Sequence, residues 1–292
     1  MVYQQMLAAG GKRLRPLLTL LSCEATGGNS QQAINWAVAV EVLHLASLIH
    51  DDVIDEADER RGQPAARQVW GNRVTILVGD FLVAEVFRQM ANELGWQALA
   101  SLARAVAEMS RAELSRQPGD QEEDEEGYLG SIGGKTGALM AAACEVGALA
   151  AKSEAAIPLL RFLGQRLGEA FQITDDLLDL YGNPELLGKP VLQDLQEGYW
   201  SLPIIHALRT ARPAEVAALR QELAAAHNDP VAARRAADMA AELGGRRHAQ
   251  DLAEAMIAQA HNALAGLPPS PARASLIALA GLCRGTGLLV HL

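Results

Sequence analysis

Two acidic motifs of identical pattern constrain this fold more than any other feature of the sequence. Asp51-Asp52-Val53-Ile54-Asp55 and Asp175-Asp176-Leu177-Leu178-Asp179 both read DDxxD, and both lie in apolar, helix-forming segments. On a helix the first and fifth positions share a face, one turn apart. Packed carboxylates repel, so such a face is costly unless a cation neutralises it. We therefore expect two helices with acidic turns, called here the first and the second acidic cluster.

The carboxylate side chains of the two acidic clusters predict a bound metal ion. Hard divalent cations prefer carboxylate oxygens, and Mg2+ usually completes its shell with water and phosphate oxygens. Asp51 would project beside Asp55, and Asp175 beside Asp179. Two such faces that point at one cavity would hold Mg2+ on a diphosphate. The alternative is two solvated acidic turns, but the repetition of the whole pattern favours metal binding.

Composition favours one all-α domain that spans residues 1–292. Half of the 292 residues are hydrophobic, only 4% are aromatic, and alanine and leucine recur throughout. These residues favour helix over strand, and sustained alternation of apolar and polar residues is missing. The net charge of −10 argues against nucleic acid as a partner, although Mg2+ and placed cations would still admit an anionic substrate.

Apolar periodicity and breaker residues give the expected helices. They run over 16–25, 30–55, 73–94, 97–116, 125–152, 155–181, 201–208, 213–227, 230–243 and 246–265, with a loop at Arg61–Pro64.

Cysteine usage and hydropathy predict a cytoplasmic protein. The three cysteines are scattered, and neither a zinc motif nor a disulfide framework is indicated by their spacing. The N-terminal segment lacks the pattern of a signal peptide. No apolar run reaches the length of a membrane span, so we expect no stable membrane insertion.

Basic residues supply the counterpart to the acidic clusters. Lys12, Arg13 and Arg15 adjoin a glycine turn, Arg60 and Arg61 follow the first acidic cluster, and Lys135 and Lys189 lie nearer the second. Arginine binds phosphate oxygens in bidentate fashion, and lysine acts as a point charge. Each group alone could be a surface charge; together with the two acidic clusters they indicate diphosphate binding.

A nucleotide P-loop is excluded by the residues around Lys135. Gly133-Gly134-Lys135-Thr136 resembles the end of that motif, but Leu129 stands where it needs glycine, and no strand precedes it.

Taken together, these motifs resemble the trans-isoprenyl diphosphate synthases, the polyprenyl synthetase family, over nearly the whole chain. The matching segments are Gly11–Pro16, the first acidic cluster with Arg60-Arg61-Gly62 after four residues, Gly79–Leu82, Lys135-Thr136, Phe171-Gln172, the second acidic cluster, Gly188–Pro190 and Asp194-Leu195. The resemblance implies a helical bundle of the isoprenoid synthase type with a central cavity, and a homodimer.

The resemblance also implies the role of each residue. Mg2+ ligands would be Asp51, Asp55 and Asp175, supported by Asp52, Asp176 and Asp179, of which Asp179 is itself a candidate ligand; Asp194 would hold metal-bound water. Arg60, Lys135 and Lys189 would bind the allylic diphosphate, and Lys12, Arg15, His44 and Arg61 would bind isopentenyl diphosphate. Thr136 and Gln172 would lie beside the reacting carbons.

The implied reaction is a head-to-tail condensation that gives an all-trans prenyl diphosphate. One departure from the family pattern is Tyr199, which stands where a lysine is usual. This loss keeps a terpene cyclase on the same scaffold as an alternative, and a non-catalytic subunit of a heteromeric synthase is another. The complete acidic clusters argue against the subunit, and the basic residues argue against the cyclase.

Small residues below the first acidic cluster predict a long product. One helical turn is about 5.4 Å, close to one isoprene unit. Ala46 and Ser47 lie about one turn below Asp51, and Leu43 and Val42 are the next obstacles on that helix. Bulky residues at these positions would stop growth early, so we expect C20 or longer. The alternative is that the small residues only permit close helix packing.

Overall fold

The computed structural model describes residues 10–60, 62–115, 124–188 and 190–282, and within them the fold is all-α, as predicted. The helices are α1 (Leu14–Ala25), α2 (Ser30–Ile54), α3 (Ala66–Gln89), α4 (Trp96–Ser115), α5 (Glu125–Ile132), α6 (Ala138–Ala150), α7 (Ile157–Tyr181), α8 (Pro184–Leu187), α9 (Gln193–Glu197), α10 (Leu202–Thr210), α11 (Pro213–Ala226), α12 (Pro230–Glu242), α13 (Gly245–Leu264) and α14 (Pro271–Leu282). Two π-helical turns, Met90–Leu94 and Gly133–Gly137, and a 3₁₀ turn, Glu154–Ala156, complete the helical elements.

Polar caps define where several helices begin. Asn29 forms a capping box at α2: its side chain accepts from the Gln31 N–H at 2.8 Å, and its own N–H donates to Gln32 Oε1 at 2.9 Å. Asp124 accepts from the Gly127 N–H at the start of α5. Such caps satisfy N–H groups that have no partner within the helix.

The segment after the first acidic cluster differs from the predicted loop. Strands β1 (Glu59–Arg60) and β2 (Gln63–Pro64) pair antiparallel there. The helix expected from residue 73 instead begins at Ala66 and breaks at Gly71, whose φ of 75° is not helical. Glycine tolerates this conformation because it has no Cβ. The short pairing escapes prediction because two residues are too few for an alternating pattern.

Helix α2 corrects one expectation about hydropathy. It is the single described helix long and apolar enough to cross a membrane by length and composition, so the prediction that no run reaches this length was wrong. The core helix of a globular protein passes the same test. In this structure α2 packs against α1 and α3, and its C-terminal turn carries Asp51 and Asp52.

The described residues form two compact units. The first comprises those within Met1–Ala107, Leu139–Arg161 and Leu267–Arg273. Its best-defined apolar cluster joins α2 to α3 through Leu45, Ala46, Ile49, Ala66 and Leu82. This packing fixes the helix that bears the first acidic cluster.

The second unit comprises the described residues within Glu108–Ala138, Phe162–Gly266 and Ala274–Leu292. In it α10 packs against α12 and α13, and α11 packs against α12. Aliphatic side chains from α7, α9, α10, α11 and α12, most of them leucine and alanine, form an apolar core cluster of this unit. The C-terminal half of α7, with the second acidic cluster, belongs to this unit. A single domain and a central cavity stay predictions.

Candidate functional site

The first acidic cluster occupies the last turn of α2. The Asp55 N–H donates to the Asp51 carbonyl at 2.8 Å, so these residues are one helical turn apart, as the motif predicted. Asp51 is half-buried and Asp55 is exposed, whereas Asp52 between them is fully buried. The cluster therefore presents two accessible carboxylates and buries the third.

Buried Asp52 positions the basic residue that follows the cluster. Its Oδ1 accepts from Arg60 Nε, and its Oδ2 accepts from the Ala66 N–H at 3.2 Å. The ion pair joins α2 to β1, and the second bond joins α2 to the start of α3. Arg60, predicted to bind the allylic diphosphate, is thus held next to the first acidic cluster.

A close approach of α3 supports the same turn of α2. A Cβ on Gly79 would collide with the ring of His50, the residue before Asp51. The His50 Nε2 lies 3.2 Å from the Ile76 carbonyl oxygen and 3.4 Å from Asp80 Oδ1. Gly79 of the Gly79–Leu82 motif is therefore required by packing under the first acidic cluster.

The basic N-terminal motif is tethered to α2. Arg13, in the left-handed region at φ 49°, forms an ion pair with Glu41 of α2. The Nε of Arg15 is buried and has no hydrogen-bond partner among the described residues. Burial lowers the pKa of Arg15 to about 10, although Glu41 opposes the shift. An orphaned buried N–H is costly, so Arg15 fits an anionic ligand.

The four predicted chain-length residues have different surroundings. Ala46 is fully buried in the apolar cluster with α3, and Val42 packs against that cluster. Ser47 is partly exposed, and its Oγ donates to the His44 carbonyl at 2.8 Å. Leu43 is buried. The packing alternative therefore has support at Ala46, while Ser47 keeps an accessible side.

In the second acidic cluster Asp176 is buried and held by neutral donors. It accepts from the Tyr128 hydroxyl at 2.7 Å and from Gln172 Nε2 at 2.8 Å. Burial, followed by the negative charges of Asp194 and Asp175, raises the pKa of Asp176 to about 7. The described groups that shift the pKa of Asp176 thus include two further carboxylates and no cation.

Thr136 and Gln172, both predicted to lie beside the reacting carbons, contact each other. The Thr136 Oγ1 donates to Gln172 Oε1 at 2.7 Å, and Gln172 passes the hydrogen bond on to Asp176. The chain of bonds runs from α7 to the π-helical turn Gly133–Gly137. Such turns are frequent at functional sites. No phosphate-cradling loop exists there, which agrees with rejection of the P-loop.

The glycines of this turn serve helix packing. A Cβ on Gly168 of α7 would lie 2.6 Å from the Gly137 Cα. The two backbones approach closely because neither residue has a side chain. Lys135 in the same turn forms an ion pair with Glu113 at 2.9 Å.

Asp179 acts as a helix cap in this structure. Its Oδ1 accepts from the Gln193 N–H at 3.1 Å and its Oδ2 from the Asp194 N–H at 3.3 Å. These contacts fix α9, which carries Asp194. The role of Asp179 as a metal ligand stays a prediction, as do the assigned ligand roles of Asp51, Asp55 and Asp175.

Two of the other predicted substrate-binding residues lie within the described part of the chain and two lie outside it. Lys12 is exposed just before α1, and His44 is half-buried on α2. Arg61 and Lys189 lie outside the described residues. Sequence reasoning missed Tyr128 and Glu113, whose partners are distant in the chain. The nearest signal for Tyr128 was its place in the helix that leads into Lys135 and Thr136.

The donor set fits a hard divalent cation. Burial, followed by the negative charges of Asp194 and Asp175, disfavours the charged form of Asp176 and raises its pKa. A bound cation would remove this cost, and carboxylate oxygens are the ligands that Mg2+ prefers.

Comparison with protein families gives one match that spans most of the chain. The family described as Polyprenyl synthetase matches residues 1–240. A heptaprenyl diphosphate synthase component 2 from Geobacillus stearothermophilus is 41% identical over 221 residues, which are 74% of this chain and 69% of that protein. A nonaprenyl diphosphate synthase from Mycobacterium tuberculosis is 38% identical over 275 residues, 93% of this chain and 82% of the relative.

A solved structure adds a similar fold with bound ligands. A polyprenyl synthase from Caulobacter crescentus CB15, complexed with calcium and isoprenyl diphosphate, superposes with a TM-score of 0.89 at 36% identity. The match covers 98% of this chain and 88% of that one.

Proposed function

The chain belongs to the polyprenyl synthetase family and is a prenyltransferase, and we propose that it condenses isopentenyl diphosphate with an allylic diphosphate, head to tail, to an all-trans product of C20 or longer. The family match confirms the resemblance that the motifs gave. The gathered carboxylates around buried Asp176 carry the proposal, because they need a divalent cation and a diphosphate carries one to them.

Mg2+ is the proposed cation. Prenyl synthases depend on a metal ion, and the proposed ligands are Asp51 and Asp55 in the first unit and Asp175 and Asp179 in the second. When bound, the ion stabilises negative charge on the departing diphosphate.

The basic residues would bind and orient the two substrates. Arg60, fixed by Asp52, would contact the allylic diphosphate together with Lys135 and Lys189. Arg15, whose Nε has no hydrogen-bond partner among the described residues, would bind isopentenyl diphosphate with Lys12, His44 and Arg61. These cations favour charge that develops on the leaving diphosphate.

The reaction needs no side-chain nucleophile. The allylic C–O bond breaks with its electron pair on the diphosphate, and the double bond of isopentenyl diphosphate attacks the resulting carbocation. A proton then leaves for the released diphosphate as the new double bond forms. Thr136 and Gln172 form a fixed polar pair, and the Gln172 carbonyl would face positive charge on the reacting carbons.

Product length is proposed to depend on Ser47 more than on Ala46. Ser47 is partly exposed, whereas Ala46 packs against α3. Ser47→Phe should shorten the product by at least one isoprene unit without loss of fold, and Ala46→Phe should instead lower the free energy of unfolding by about 1–3 kcal/mol. Chromatography of dephosphorylated products and urea unfolding separate the two effects. An unchanged product from Ser47→Phe would contradict the assignment.

A homodimer is proposed from an exposed apolar stripe on α3. Val74, Leu77 and Phe81 follow helical spacing, and Leu77 and Phe81 are 57% and 62% exposed. Such a stripe marks an interaction surface, and most soluble oligomers pair identical copies. Leu77→Glu should give a monomer by light scattering, whereas Leu186→Glu, at an exposed leucine of α8, should not.

The decisive assay offers Mg2+, labelled isopentenyl diphosphate and, separately, C5, C10, C15 and C20 allylic primers. Incorporation into products of C20 or beyond is expected. Release of diphosphate from a primer without incorporation would indicate a terpene cyclase. No turnover would indicate a subunit that needs a partner. The Geobacillus relative is itself described as component 2, which is the reason to test this alternative. A cytoplasmic location stays a prediction.

A further inference from the structure

A group of potential metal ligands lies in the second unit apart from the aspartates. Glu125 begins α5, His206 lies on α10 and His248 lies in the first turns of α13. Their ligand atoms all lie within 4.8 Å of one another. The His248 Nε2 is 3.0 Å from Glu125 Oε2, and the two imidazole rings stack with centroids 4.1 Å apart and planes inclined by 19°.

We propose that Glu125, His206 and His248 bind one zinc-class transition metal ion. Two imidazoles and one carboxylate are a ligand set for Zn2+ and its neighbours, whereas Mg2+ takes oxygen ligands. A tetrahedral Zn2+ with bonds of about 2.1 Å holds its ligand atoms about 3.4 Å apart. Ligand atoms within 4.8 Å of one another can reach this spacing by side-chain rotations that open the ring stack, and all three side chains are half-buried.

The packing of three helices brings the triad together. The rings of His206 and His248 lie side by side, and Glu125 contacts His248. Cysteine spacing had indicated no zinc site, and this triad contains no cysteine; its members come from three helices, far apart in the chain.

The site has a mechanical link to the second acidic cluster. Glu125 lies one helical turn before Tyr128, whose hydroxyl donates to Asp176. A metal that ties Glu125 to α10 and α13 would anchor the first turn of α5 and restrict the position of Tyr128. The binding test below requires no catalytic activity, so its outcome is separable from that of the condensation assay.

The experiment titrates Zn2+ into chelator-treated full-length protein by calorimetry, with excess Mg2+ present to compete at the aspartates. One ion per chain is expected. His206→Gln and His248→Gln should each weaken binding at least roughly tenfold. His261→Gln, at an exposed histidine of α13, should leave affinity unchanged. Co2+ should give the intense visible bands of a tetrahedral site in the parent and lose them in both triad variants.

Thermal unfolding distinguishes ligand loss from misfolding. Without added metal, the triad variants should unfold close to the parent, and Zn2+ should raise Tm only in the parent and in His261→Gln. Equal Zn2+ affinity in all variants would overturn the proposal. So would loss of Zn2+ binding in Asp175→Asn but not in His248→Gln, because the ion would then occupy the aspartates. Absence of Zn2+ binding would leave only a hydrogen-bonded cluster.

Discussion

The two acidic clusters share one motif and solve the problem of a buried carboxylate differently. At the first, the buried middle aspartate, Asp52, has a cation of the chain itself, Arg60, and a backbone N–H. At the second, the equivalent Asp176 has two neutral donors, Tyr128 and Gln172, and its pKa is raised by burial and then by two further carboxylates. The same pattern therefore gives one buried aspartate that is neutralised by a cation and one whose groups that shift its pKa, among the described residues, include no cation.

The difference separates two tasks. Asp52 organises structure, because its bonds join three elements and hold Arg60. Asp176 sits where charge is unbalanced, which is the condition under which a bound cation contributes most. We expect the first acidic cluster to be set by the fold and the second to be completed by ligand.

The largest expected effect concerns catalysis and metal demand. Asp51→Asn and Asp175→Asn should each lower kcat roughly 10²- to 10³-fold, because each removes a carboxylate that would hold the cation on which the departing diphosphate depends. The Mg2+ concentration for half-maximal rate should rise more for Asp175→Asn. Asp251→Asn, at an exposed aspartate on α13, should change neither value. Equal Mg2+ demand in the two variants would break the comparison.

The next effect concerns stability. Arg60→Leu leaves Asp52 buried without its cation and should lower the free energy of unfolding by about 3–5 kcal/mol. Tyr128→Phe removes one neutral donor from Asp176 and should cost about 1–2 kcal/mol. Urea unfolding in the absence of divalent metal measures both. A larger loss of unfolding free energy for Tyr128→Phe than for Arg60→Leu would contradict the assignment of the first acidic cluster as the neutralised one.

The smallest effect concerns the helices that support each cluster. Gly79→Ala should cost about 1–3 kcal/mol, because its Cβ displaces the His50 ring beside the first acidic cluster. Gly130→Ala is the matched control on α5, where an added Cβ meets nothing within 4 Å. It should stabilise by about 0.5–1 kcal/mol through helix propensity. Equal unfolding midpoints for the two variants would show that His50 moves at no cost.

Local sequence patterns predicted most of the fold, because the caps and the apolar spacing that define a helix lie within a few residues of one another. Asn29 and Gln32 mark the start of α2 within four residues, and Pro213 and Pro230 each begin a helix. The short helices α8 and α9 escaped because four or five residues cannot show a period of 3.6.

The site was predictable only where a motif carried it. Spacing placed Arg60 near the first acidic cluster, and the family resemblance implied that Thr136 and Gln172 lie beside the same reacting carbons. The hydrogen bond from Tyr128 to Asp176 joins residues that are 48 positions apart in the chain, and no local pattern in either segment predicts it. The capping role of Asp179 also depends on a left-handed Leu192, a conformation that the residue type does not suggest.

The π-helical turn Gly133–Gly137 changes the direction in which the side chains after it point relative to those before it. Tyr128 and Thr136 are eight residues apart, which in a straight α-helix puts their side chains roughly 80° out of line. A wide turn absorbs about one residue and reduces the offset to roughly 20°. Both hydroxyls can then reach α7, one to Asp176 and the other to Gln172. Winding the same residues as a regular α-helix, with no deletion, would turn the two hydroxyls out of line again, so the extra residue of the wide turn keeps both directed at α7.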